Sequence, residues 1–582
     1  MRLLHTYEYQ FATRSRGGRS RKPEPMPITS TMQDVPLSIA TMVRYGTTVY
    51  ADTPIITYDG ETTRRASLGQ LGARAAQLAT ALRDTLGVGL GEPVATLMWN
   101  TDTHFECYLA VPAMGAVLHT LNVRYSSSQI AYSANHAEDR VVIVDADLID
   151  KLIDVLPLMV SVRSVVVVGN YDDAARLAGH NIAVHVYEDL LEGRSVQFDW
   201  PELPETSPAL MCYTSGTTGS PKGVVYSHRS VYLASMQLCM GDYLGLSVTD
   251  RALVVVPMFH VNSWNLPFAA LLVGTSLILP GRHVQADHIV RLVEQLQPTI
   301  SAGVPTVWND VLHHAQETYA DLSSLRDVVV GGSACPRPLI EQFEREFGVR
   351  LIQAWGMTEM SPYGSIAKPD GLGGDDAWQL RMSQGRLLCG VQARVVNLDG
   401  EVLPNDGRAV GEIETRGPWV AGAYHAKRVP DSFHDGWLRT GDVGTISERG
   451  VVTLSDRTKD VIKSGGEWIS SLKLELALYS HPAVEDAAVI GVDDERWGER
   501  PWAVVVPKSN IEFDPGELAD YLSTQVDAWQ VPERWSSIPQ IPRTSVGKSD
   551  KVRLRQMYVD RVLDIENCRA RKADDPAEGS TT

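Results

Sequence analysis

Short, continuously hydrophobic runs alternate with longer helical patterns from about Pro93 onward. These runs are Pro93–Trp99, Arg140–Val144, Val162–Val168, Leu210–Tyr213, Leu253–Val256, Ser276–Leu279 and Val328–Val330. Strands that are apolar on both faces occur in sheets that helices cover on both sides. The segment Thr103–Val117 has the pattern of such a helix. The alternation predicts an α/β fold built on doubly wound sheets.

The pattern changes after about Gly385. Short alternating strands are separated by turn sequences at Leu398-Asp399-Gly400, Asn405-Asp406-Gly407 and Glu448-Arg449-Gly450, which predicts a small antiparallel, β-barrel-like subdomain. Mixed strands and helices return after Asp456. We expect a large N-terminal domain over residues 32–456, a smaller mobile α+β domain over 457–565 and a frayed tail over 566–582.

The first residues differ in composition from the rest. They are rich in arginine, and the only acidic residues are Glu8 and Glu24. An organelle transit peptide has this composition. We favour a disordered extension over residues 1–31, or a start codon placed too early, with Met26 or Met32 as the true first residue.

Length and charge restrict the class of protein. A chain of 582 residues is too long for one hydrophobic core. The formal net charge of −18 disfavours nucleic acid as a general partner, and a polyanionic ligand would need a locally positive cleft.

The cysteines and the apolar runs indicate where in the cell the protein is located. Six cysteines without a C-x-x-C pair predict neither a disulfide framework nor a zinc site, so we expect core thiols and a reducing cytoplasm. The longest apolar run, Leu266–Pro280, is too short to cross a bilayer and is expected to be a buried helix and strand. We predict no transmembrane segment, and at most peripheral membrane contact.

A loop of glycines and hydroxyl residues follows the run Leu210–Tyr213. Its order is Thr214, Ser215, Gly216, Thr217, Thr218, Gly219, Ser220, Pro221, Lys222, Gly223. Backbone N–H groups and hydroxyls of such a loop can converge on phosphate, and Lys222 adds positive charge. It is not a Walker A loop, because Pro221 precedes the lysine and Gly223 follows it.

Tyr213–Gly223 resembles the phosphate loop of the adenylate-forming superfamily: acyl-CoA synthetases, firefly luciferase and peptide-synthetase adenylation domains. The resemblance runs from about Met32 to about Arg555. It implies activation of a carboxylate as acyl-AMP, with ATP, Mg²⁺ and CoA as the expected cofactors.

A second motif is Trp355-Gly356-Met357-Thr358-Glu359, preceded by Gln353 and Ala354. ATP chemistry needs an aromatic plane for adenine, a hydroxyl near phosphate and a carboxylate for Mg²⁺. The resemblance implies these roles for Trp355, Thr358 and Glu359, with Thr214 also near the metal. Most relatives have tyrosine at position 355, so the tryptophan is a departure.

Two further motifs complete the expected nucleotide site. Small residues at Gly332, Ser333 and Ala334 follow the run Val328–Val330 and allow close approach to a purine, although a plain strand-to-helix turn would look the same. Asp442 and Arg457 resemble the superfamily's ribose-binding pair, in which a carboxylate accepts from the ribose hydroxyls.

The C-terminal motifs imply a moving part. Lys548, in Pro542–Lys548, resembles the lysine that reaches the α-phosphate and the substrate carboxylate, although a solvated surface lysine is the ordinary alternative. Lys459 resembles the hinge. Rotation about it would withdraw Lys548 and present the CoA-side segment to the acyl-adenylate. That segment comprises Lys463, Gly465, Gly466, Glu467 and Trp468.

The acid is indicated by the segment Pro257–Phe268. Amino-acid-activating members of the superfamily hold the substrate ammonium with an aspartate in the corresponding segment. The resemblance therefore implies that an α-amino acid would bury an unpaired ammonium here, because Pro257–Phe268 contains no acidic residue. The segment most resembles medium- and long-chain fatty acyl-CoA synthetases. The resemblance implies that His260 lies near the carboxylate and that Val261 and Trp264 line and gate an acyl tunnel; a plain core tryptophan is the alternative for Trp264.

The sequence therefore predicts a fatty-acid–CoA ligase. The alternatives are an aryl or a short or branched acid, or transfer to a carrier-protein thiol, although little chain follows Lys548 to hold a carrier domain. A non-catalytic binding protein is disfavoured, because Lys548, Glu359 and the threonine-rich loop are all present. The resemblance suggests a homodimer.

Overall fold

The computed structural model describes residues 30–214, 221–369, 371–397, 399–426, 429, 432–464, 467–509, 511–544 and 548–568. Residues 1–29 of the expected extension over 1–31, and most of the tail over 566–582, fall outside these ranges. The elements described below all belong to the unit that begins at Pro36.

The strands in chain order are β1 (Pro54–Tyr58), β2 (Thr63–Ser67), β3 (Pro93–Leu97), β4 (Val117–Thr120), β5 (Val141–Asp145), β6 (Ser164–Val168), β7 (Ala183–Val186), β8 (Pro208–Thr214), β9 (Lys222–Ser227), β10 (Arg251–Leu253), β11 (Ser276–Leu279), β12 (Ile300–Gly303), β13 (Asp327–Gly331), β14 (Arg350–Gly356), β15 (Tyr363–Ile366), β16 (Gly385–Leu387), β17 (Gln392–Val396), β18 (Val402–Leu403), β19 (Gly411–Arg416), β20 (Phe433–His434), β21 (Trp437–Ile446), β22 (Val451–Arg457), β23 (Ile462–Ser464), β24 (Glu467–Ile469), β25 (Val484–Asp494), β26 (Gly498–Pro507), β27 (Arg534–Ser537) and β28 (Glu566–Asn567).

The α-helices are α1 (Ile39–Val49), α2 (Leu68–Asp84), α3 (Asp102–Ala113), α4 (Ser127–Ala137), α5 (Ile149–Val155), α6 (Tyr171–Ala175), α7 (Tyr187–Leu191), α8 (His228–Cys239), α9 (Leu266–Val273), α10 (Ala286–Leu296), α11 (Pro305–Thr318), α12 (Arg337–Phe347), α13 (Gly374–Met382), α14 (Ser471–Tyr479), α15 (Pro515–Ser523) and α16 (Lys551–Val559).

Two of the sheets are parallel over much of their width. The first has the order β7-β6-β5-β3-β4-β8-β9, parallel except for the β8–β9 hairpin. The second contains the parallel run β14-β13-β12-β10-β11-β1. Their strands are buried along nearly their whole length, as the continuous apolar runs predicted. The doubly wound α/β class is confirmed.

The antiparallel strands predicted after Gly385 extend the second sheet. Strand β14 pairs antiparallel with β15, β15 with β16 and β16 with β22, and β21, β19, β17 and β18 follow. The consequence is that the β21–β22 hairpin belongs to the same sheet as β13 and β14. Residues from two distant parts of the chain are thereby placed on one rigid support.

The C-terminal part builds a third sheet. Its order is β24-β23-β26-β27-β28, with β25 paired to β26, and only β26 and β27 run parallel. Helix α14 caps its core, which contains Leu474, Trp535 and Leu522. The domain limits 32–456 and 457–565 stay predictions, although this third sheet begins within the second range.

Three predicted elements can be compared with the structure residue by residue. Ser276–Leu279 forms a strand with the predicted limits. The strand predicted over Leu253–Val256 ends at Leu253. Beyond it the side-chain amide of Asn100, rather than a neighbouring strand, donates to the carbonyls of Val254 and Val256, at 2.7 and 2.9 Å. The helix predicted over Thr103–Val117 ends at Ala113, since Gly115 has φ +93° and Val117 begins β4.

The segment Lys368–Gln384, which has no recognisable pattern in the sequence, contains α13. The helix carries Asp375 and Asp376 in its first turn and Arg381 in its last, which suits its dipole. All six cysteines are free; Cys107, Cys212 and Cys335 are buried, whereas Cys389 is exposed, so the expectation of core thiols does not extend to that residue. No helix in the described ranges has the length and apolarity to cross a membrane.

Candidate active site

The candidate site lies where β8, β13 and β14 end. In open α/β sheets the carboxyl ends of parallel strands bind ligands. Thr214 is the last residue of β8 and pairs with Lys222 across the hairpin. The loop between them, including Ser215, Gly216, Thr217, Thr218 and Gly219, lies outside the described residues. The hydroxyl of Tyr226, on β9, donates to the Thr358 carbonyl at 2.8 Å, so the hairpin contacts the turn after β14.

A small-residue shelf follows β13. Gly332 and Ser333 are exposed and Ala334 is half-buried, which leaves room for a flat ring beside the backbone. The Gln353 side chain holds this turn in place: its oxygen accepts from the Cys335 N–H at 2.9 Å and its amide donates to the Arg381 carbonyl at 2.7 Å. Gln353 therefore supports the shelf, and the backbone of Gln353 and Ala354 borders it.

The predicted ribose pair forms one hydrogen-bonded unit with Trp355. Asp442 and Arg457 face each other across the β21–β22 ladder, and Arg457 Nε lies 2.9 Å from Asp442 Oδ1. The Trp355 indole N–H donates to the other carboxylate oxygen at 2.8 Å. Asp442 is only 3% exposed, and its charge raises the pKa of Arg457. The carboxylate is held from both sides before any ligand binds.

A second charged unit lies at the turn Thr358–Met360. Glu359 is buried, and its Oε1 accepts from the Tyr424 hydroxyl at 2.6 Å. The Lys222 ammonium lies 4.8 Å from the centroid of the same tyrosine ring and 3.4 Å from Ser432 Oγ. The phosphate-loop lysine and the candidate metal ligand thus share one neighbour, Tyr424.

Lys548 reaches this cleft from the C-terminal part. A Cβ built on Gly332, whose φ is +87°, would lie 3.3 Å from Lys548 Cε and 4.0 Å from its Nζ. Burial and the nearby Arg457 lower the pKa of Lys548 to about 8, against the opposing influence of Asp442 and Glu359. The structure therefore brings Lys548 next to the small-residue shelf; its predicted approach to the α-phosphate stays a prediction.

The segment after His260 has an unusual backbone. Val261, Asn262, Ser263, Trp264 and Asn265 all have φ between 44° and 59°, a left-handed conformation that costs roughly 1–2 kcal/mol per residue. Side-chain hydrogen bonds offset that cost: Ser263 Oγ donates to the Val256 carbonyl at 2.8 Å and Asn265 Nδ2 to the Ser361 carbonyl at 2.6 Å.

This turn points Trp264 at the shelf. A Cβ on Gly331 would lie 3.1 Å from the Trp264 ring, and Trp264 is half-buried rather than enclosed. Burial, Lys548 and Arg124 lower the pKa of His260 to about 4, so the imidazole is neutral at working pH. The sequence could not reveal the left-handed turn, because Val261, Ser263 and Trp264 are not types that favour this conformation.

The junction after β22 contains a buried polar network. Asp456 accepts from the backbone N–H and hydroxyl of Ser471, at 2.5 and 2.7 Å. The Lys551 ammonium lies 2.7 Å from Ser471 Oγ and 2.8 Å from a Glu475 oxygen. Lys459, the predicted hinge, is exposed in the turn that follows. The network joins the last strand of the second sheet to α14 and α16.

The CoA-side residues are only partly described. Lys463 is exposed on β23, and its N–H donates to Glu499 at 2.8 Å. Glu467 and Trp468 lie on β24, whereas Gly465 and Gly466 are outside the described residues. Tyr424, Ser471 and Lys551 were not singled out from the sequence. Tyr424 lies in a loop with no motif, so no sequence signal marks it.

The residues present fit Mg²⁺ together with ATP phosphates. In the described part of the chain no group of three or more His, Cys, Asp or Glu side chains could form a metal cage by itself. Mg²⁺ in nucleotide sites is held by one or two carboxylates, with waters and phosphates as the other ligands. Glu359 is a buried carboxylate of this kind. Tyr424 donates only to its Oε1, so its other oxygen can bind the metal.

Comparisons with known proteins agree with this geometry. Residues 45–425 match the family of AMP-binding enzymes, and residues 473–548 match the AMP-binding enzyme C-terminal domain. The chain is 40% identical to a medium-chain-fatty-acid–CoA ligase of Ectopseudomonas oleovorans, covering 90% of this chain and 97% of that one. It is also 40% identical to a 3-methylmercaptopropionyl-CoA ligase of Ruegeria pomeroyi, covering 84% and 90%.

A solved structure has the same fold. The anthranilate CoA ligase AuaEII in complex with anthranoyl-AMP superimposes with a TM-score of 0.82 at 24% identity, over 91% of this chain and 99% of that one. The chain belongs to the AMP-binding enzyme family. It is an ATP-dependent, AMP-forming acyl-CoA ligase, which uses ATP, Mg²⁺ and CoA.

Proposed function

We propose that this enzyme is a fatty-acid–CoA ligase for medium- or long-chain acids. The acid and ATP give acyl-AMP and pyrophosphate, and CoA then gives acyl-CoA and AMP. The observation that most directly supports this carboxylate-activating chemistry is the approach of Lys548 to Gly332, beside the unit of Trp355, Asp442 and Arg457.

In the first half-reaction a carboxylate oxygen of the acid attacks the α-phosphorus, and the bond from that phosphorus to the pyrophosphate oxygen breaks. Two anions approach each other, so a fixed ammonium lowers the barrier. Lys548 is the candidate for this role. Asp442 would accept the ribose hydroxyls, and Trp355 would stack on adenine. Mg²⁺ would neutralise phosphate charge, held by Glu359 with Thr214 nearby.

In the second half-reaction the CoA sulfur attacks the acyl carbonyl, and the bond to the AMP oxygen breaks. Lys548 is not needed for this step. We propose that rotation about Lys459 replaces it with the segment Lys463–Trp468. Lys463, Glu467 and Trp468 lie on strands of the third sheet, and Lys548 lies between β27 of that sheet and α16, which supports such an exchange. The Asp456–Ser471 bonds would break in the rotation, because Asp456 belongs to the second sheet.

The neutral segment around His260 supports a fatty acid. It carries no carboxylate to meet an ammonium, and His260 stays uncharged above about pH 4. Trp264 stands half-buried against Gly331, where rotation of the indole would open or close a path for an acyl chain. The six free cysteines support a reducing, cytoplasmic location.

A short acid is the second candidate, supported by the relative named for 3-methylmercaptopropionyl-CoA, which is as similar in identity as the fatty-acid ligase. The two candidates differ in what each added methylene does. In a long apolar tunnel each CH₂ contributes about 0.8 kcal/mol, or roughly fourfold, until the tunnel ends.

The test is AMP release with CoA across saturated acids from acetate to palmitate, with benzoate and an α-amino acid added. We expect kcat/KM to rise in steps of roughly fourfold per methylene to a maximum at a medium or long chain. A maximum at three or four carbons, or with benzoate, would contradict the proposal. AMP release without acyl-CoA would indicate a different acceptor, such as a carrier-protein thiol.

A further inference from the structure

Tyr424 contacts both Lys222 and Glu359, the two charged groups that the proposed function assigns to the triphosphate and its metal, although it belongs to neither motif. Its segment is fixed on both sides. The Ala421 N–H donates to the Glu359 carbonyl at 2.7 Å, and the His425 N–H donates to the Gly223 carbonyl at 2.8 Å. The loop is therefore anchored to the turn after β14 and to the β8–β9 hairpin at the same time. Tyr424 is only 8% exposed.

The two ends of the side chain have separate contacts. The hydroxyl donates to Glu359 Oε1 at 2.6 Å, and the ring face lies 4.8 Å from the Lys222 ammonium. Phe433 packs edge-on against the same ring at 5.5 Å.

An ammonium and a carboxylate that come close to one another inside a protein attract strongly. Lys222 and Glu359 are both described residues and both contact Tyr424, yet the structure records no direct ion pair between them. A direct pair would leave the lysine less available to phosphate and the carboxylate less available to metal. The Tyr424 hydroxyl donates to one oxygen of the Glu359 carboxylate. This hydrogen bond fixes the orientation of the carboxylate plane and therefore the position of its second oxygen.

We propose that Tyr424 is a positioning residue for the metal–nucleotide complex: it keeps Glu359 oriented toward Mg²⁺ and separate from Lys222. This rests on the proposed function, in which Glu359 is the metal ligand. The competing explanation is packing alone, since Tyr424 also belongs to the main apolar core. Phenylalanine would keep the packing and the cation–π contact but lose the hydroxyl.

The chain offers a matched control. Tyr187 is also a buried tyrosine, and its hydroxyl donates to a buried glutamate, Glu106, at 2.7 Å. Tyr187 lies on α7 and Glu106 on α3, and Arg74 forms an ion pair with Glu106. Tyr187→Phe therefore removes the same type of hydrogen bond at a place with no part in the proposed site.

The experiment measures binding and catalysis separately. The Kd of a non-hydrolysable ATP analogue is measured by calorimetry with Mg²⁺ and with EDTA. The Mg²⁺ dependence of acid-dependent pyrophosphate–ATP exchange is measured in parallel. For Tyr424→Phe we expect the Mg²⁺-dependent gain in affinity to fall about tenfold, as for a lost hydrogen bond to a charged group. Affinity in EDTA, and acyl-CoA formation from supplied acyl-AMP, should stay within about twofold.

Two further variants make the result decisive. Glu359→Gln keeps an oxygen that can accept from Tyr424 but removes the carboxylate charge, so most of the Mg²⁺ dependence should be lost; unchanged Mg²⁺ dependence would overturn the inference even if Tyr424→Phe does not fold. In the double variant the Tyr424→Phe substitution should have no added effect on Mg²⁺ dependence, because both act through one carboxylate.

Mg²⁺ dependence unchanged in Tyr424→Phe, or changed equally in Tyr187→Phe, would overturn the inference. So would additive effects in the double variant. If the wild-type enzyme releases no AMP with any acid, the proposed function fails first and the inference falls with it. If the wild type is active and only the Tyr424 results disagree, the inference alone fails.

Discussion

The nucleotide side of the cleft and the Lys548 side hold their charged groups differently. On the nucleotide side, Asp442 is bound by both Trp355 and Arg457, and Glu359 by Tyr424. On the other side, the structure records neither a hydrogen bond nor an ion pair from the Lys548 ammonium to any other described residue; its side chain rests against Gly332. One side is preorganised, and the other makes contacts that are easily broken.

The difference suits the two proposed steps. A preorganised carboxylate binds the same ribose in both half-reactions without reorganising. A lysine that has to leave after the first step is better held by its domain than by bonds in the cleft. The bonds that hold the arrangement lie instead at the junction, where Asp456, Ser471 and Lys551 meet. Changes to either side, to the junction or to the pH should therefore affect the two half-reactions unequally.

Removal of Lys548 should separate the two half-reactions most strongly. In Lys548→Ala, pyrophosphate–ATP exchange should fall by about two to three decades, because the developing charge loses its fixed counter-ion. Acyl-CoA formation from supplied acyl-AMP should be largely kept. Lys473→Ala, which removes an exposed lysine from α14, is the control. Equal loss of both steps in Lys548→Ala would show that the lysine has no step-specific role.

Removal of the indole N–H tests the preorganised side. Trp355→Phe keeps an aromatic face but loses the bond to Asp442, so we expect the KM for ATP to rise about tenfold. Trp419→Phe is the control, because it removes a buried indole N–H bond of 2.9 Å to the Tyr363 carbonyl. If the two variants raise the KM equally, the effect is structural and the hydrogen bond to Asp442 has no special part.

The junction network should set the balance between the two domain arrangements. Ser471→Ala removes the hydroxyl shared by Asp456 and Lys551, so the rate of the first half-reaction should fall about fivefold. The second half-reaction should be unchanged or faster. Ser480→Ala, after the end of the same helix, is the control. Parallel loss in both half-reactions would mean that the network contributes to stability only.

The smallest effect is a pH dependence. Lys548 in the free enzyme has its pKa lowered to about 8, so its ammonium is present below that pH and is lost above it. The kcat/KM for ATP in pyrophosphate exchange should therefore be about halved at pH 8 relative to pH 6.5 and fall further as pH rises. Phosphate charge raises the pKa once ATP is bound, so kcat should fall only at higher pH. A kcat/KM that is flat to pH 10 would contradict the assignment.

Much of the proposed chemistry was inferred from the residues, because short motifs are enough to suggest local chemistry. The roles proposed for Tyr213–Gly223, Trp355–Glu359 and Lys548 each come from a short stretch of chain. The resemblance implied that Lys548 reaches the α-phosphate, which stays a prediction; its approach to Gly332 is seen only in the structure. By contrast, the partners of these residues were not predictable: Tyr424 lies in a loop without a motif, and Ser471 looks like an ordinary helix-starting serine.

The sequence by itself determined several of the buried strands of the two parallel sheets and the types of side chain available for ATP chemistry, because these depend on residues close together in the chain. Tertiary structure alone decided which groups meet. The second sheet continues from β14 through β15 and β16 to β22, which places Asp442 and Arg457 beside Trp355. Tertiary contacts also help to hold the left-handed turn Val261–Asn265, through the hydrogen bond from Asn265 to the Ser361 carbonyl. Such contacts depend on how separate elements pack, and no short stretch of sequence contains that information.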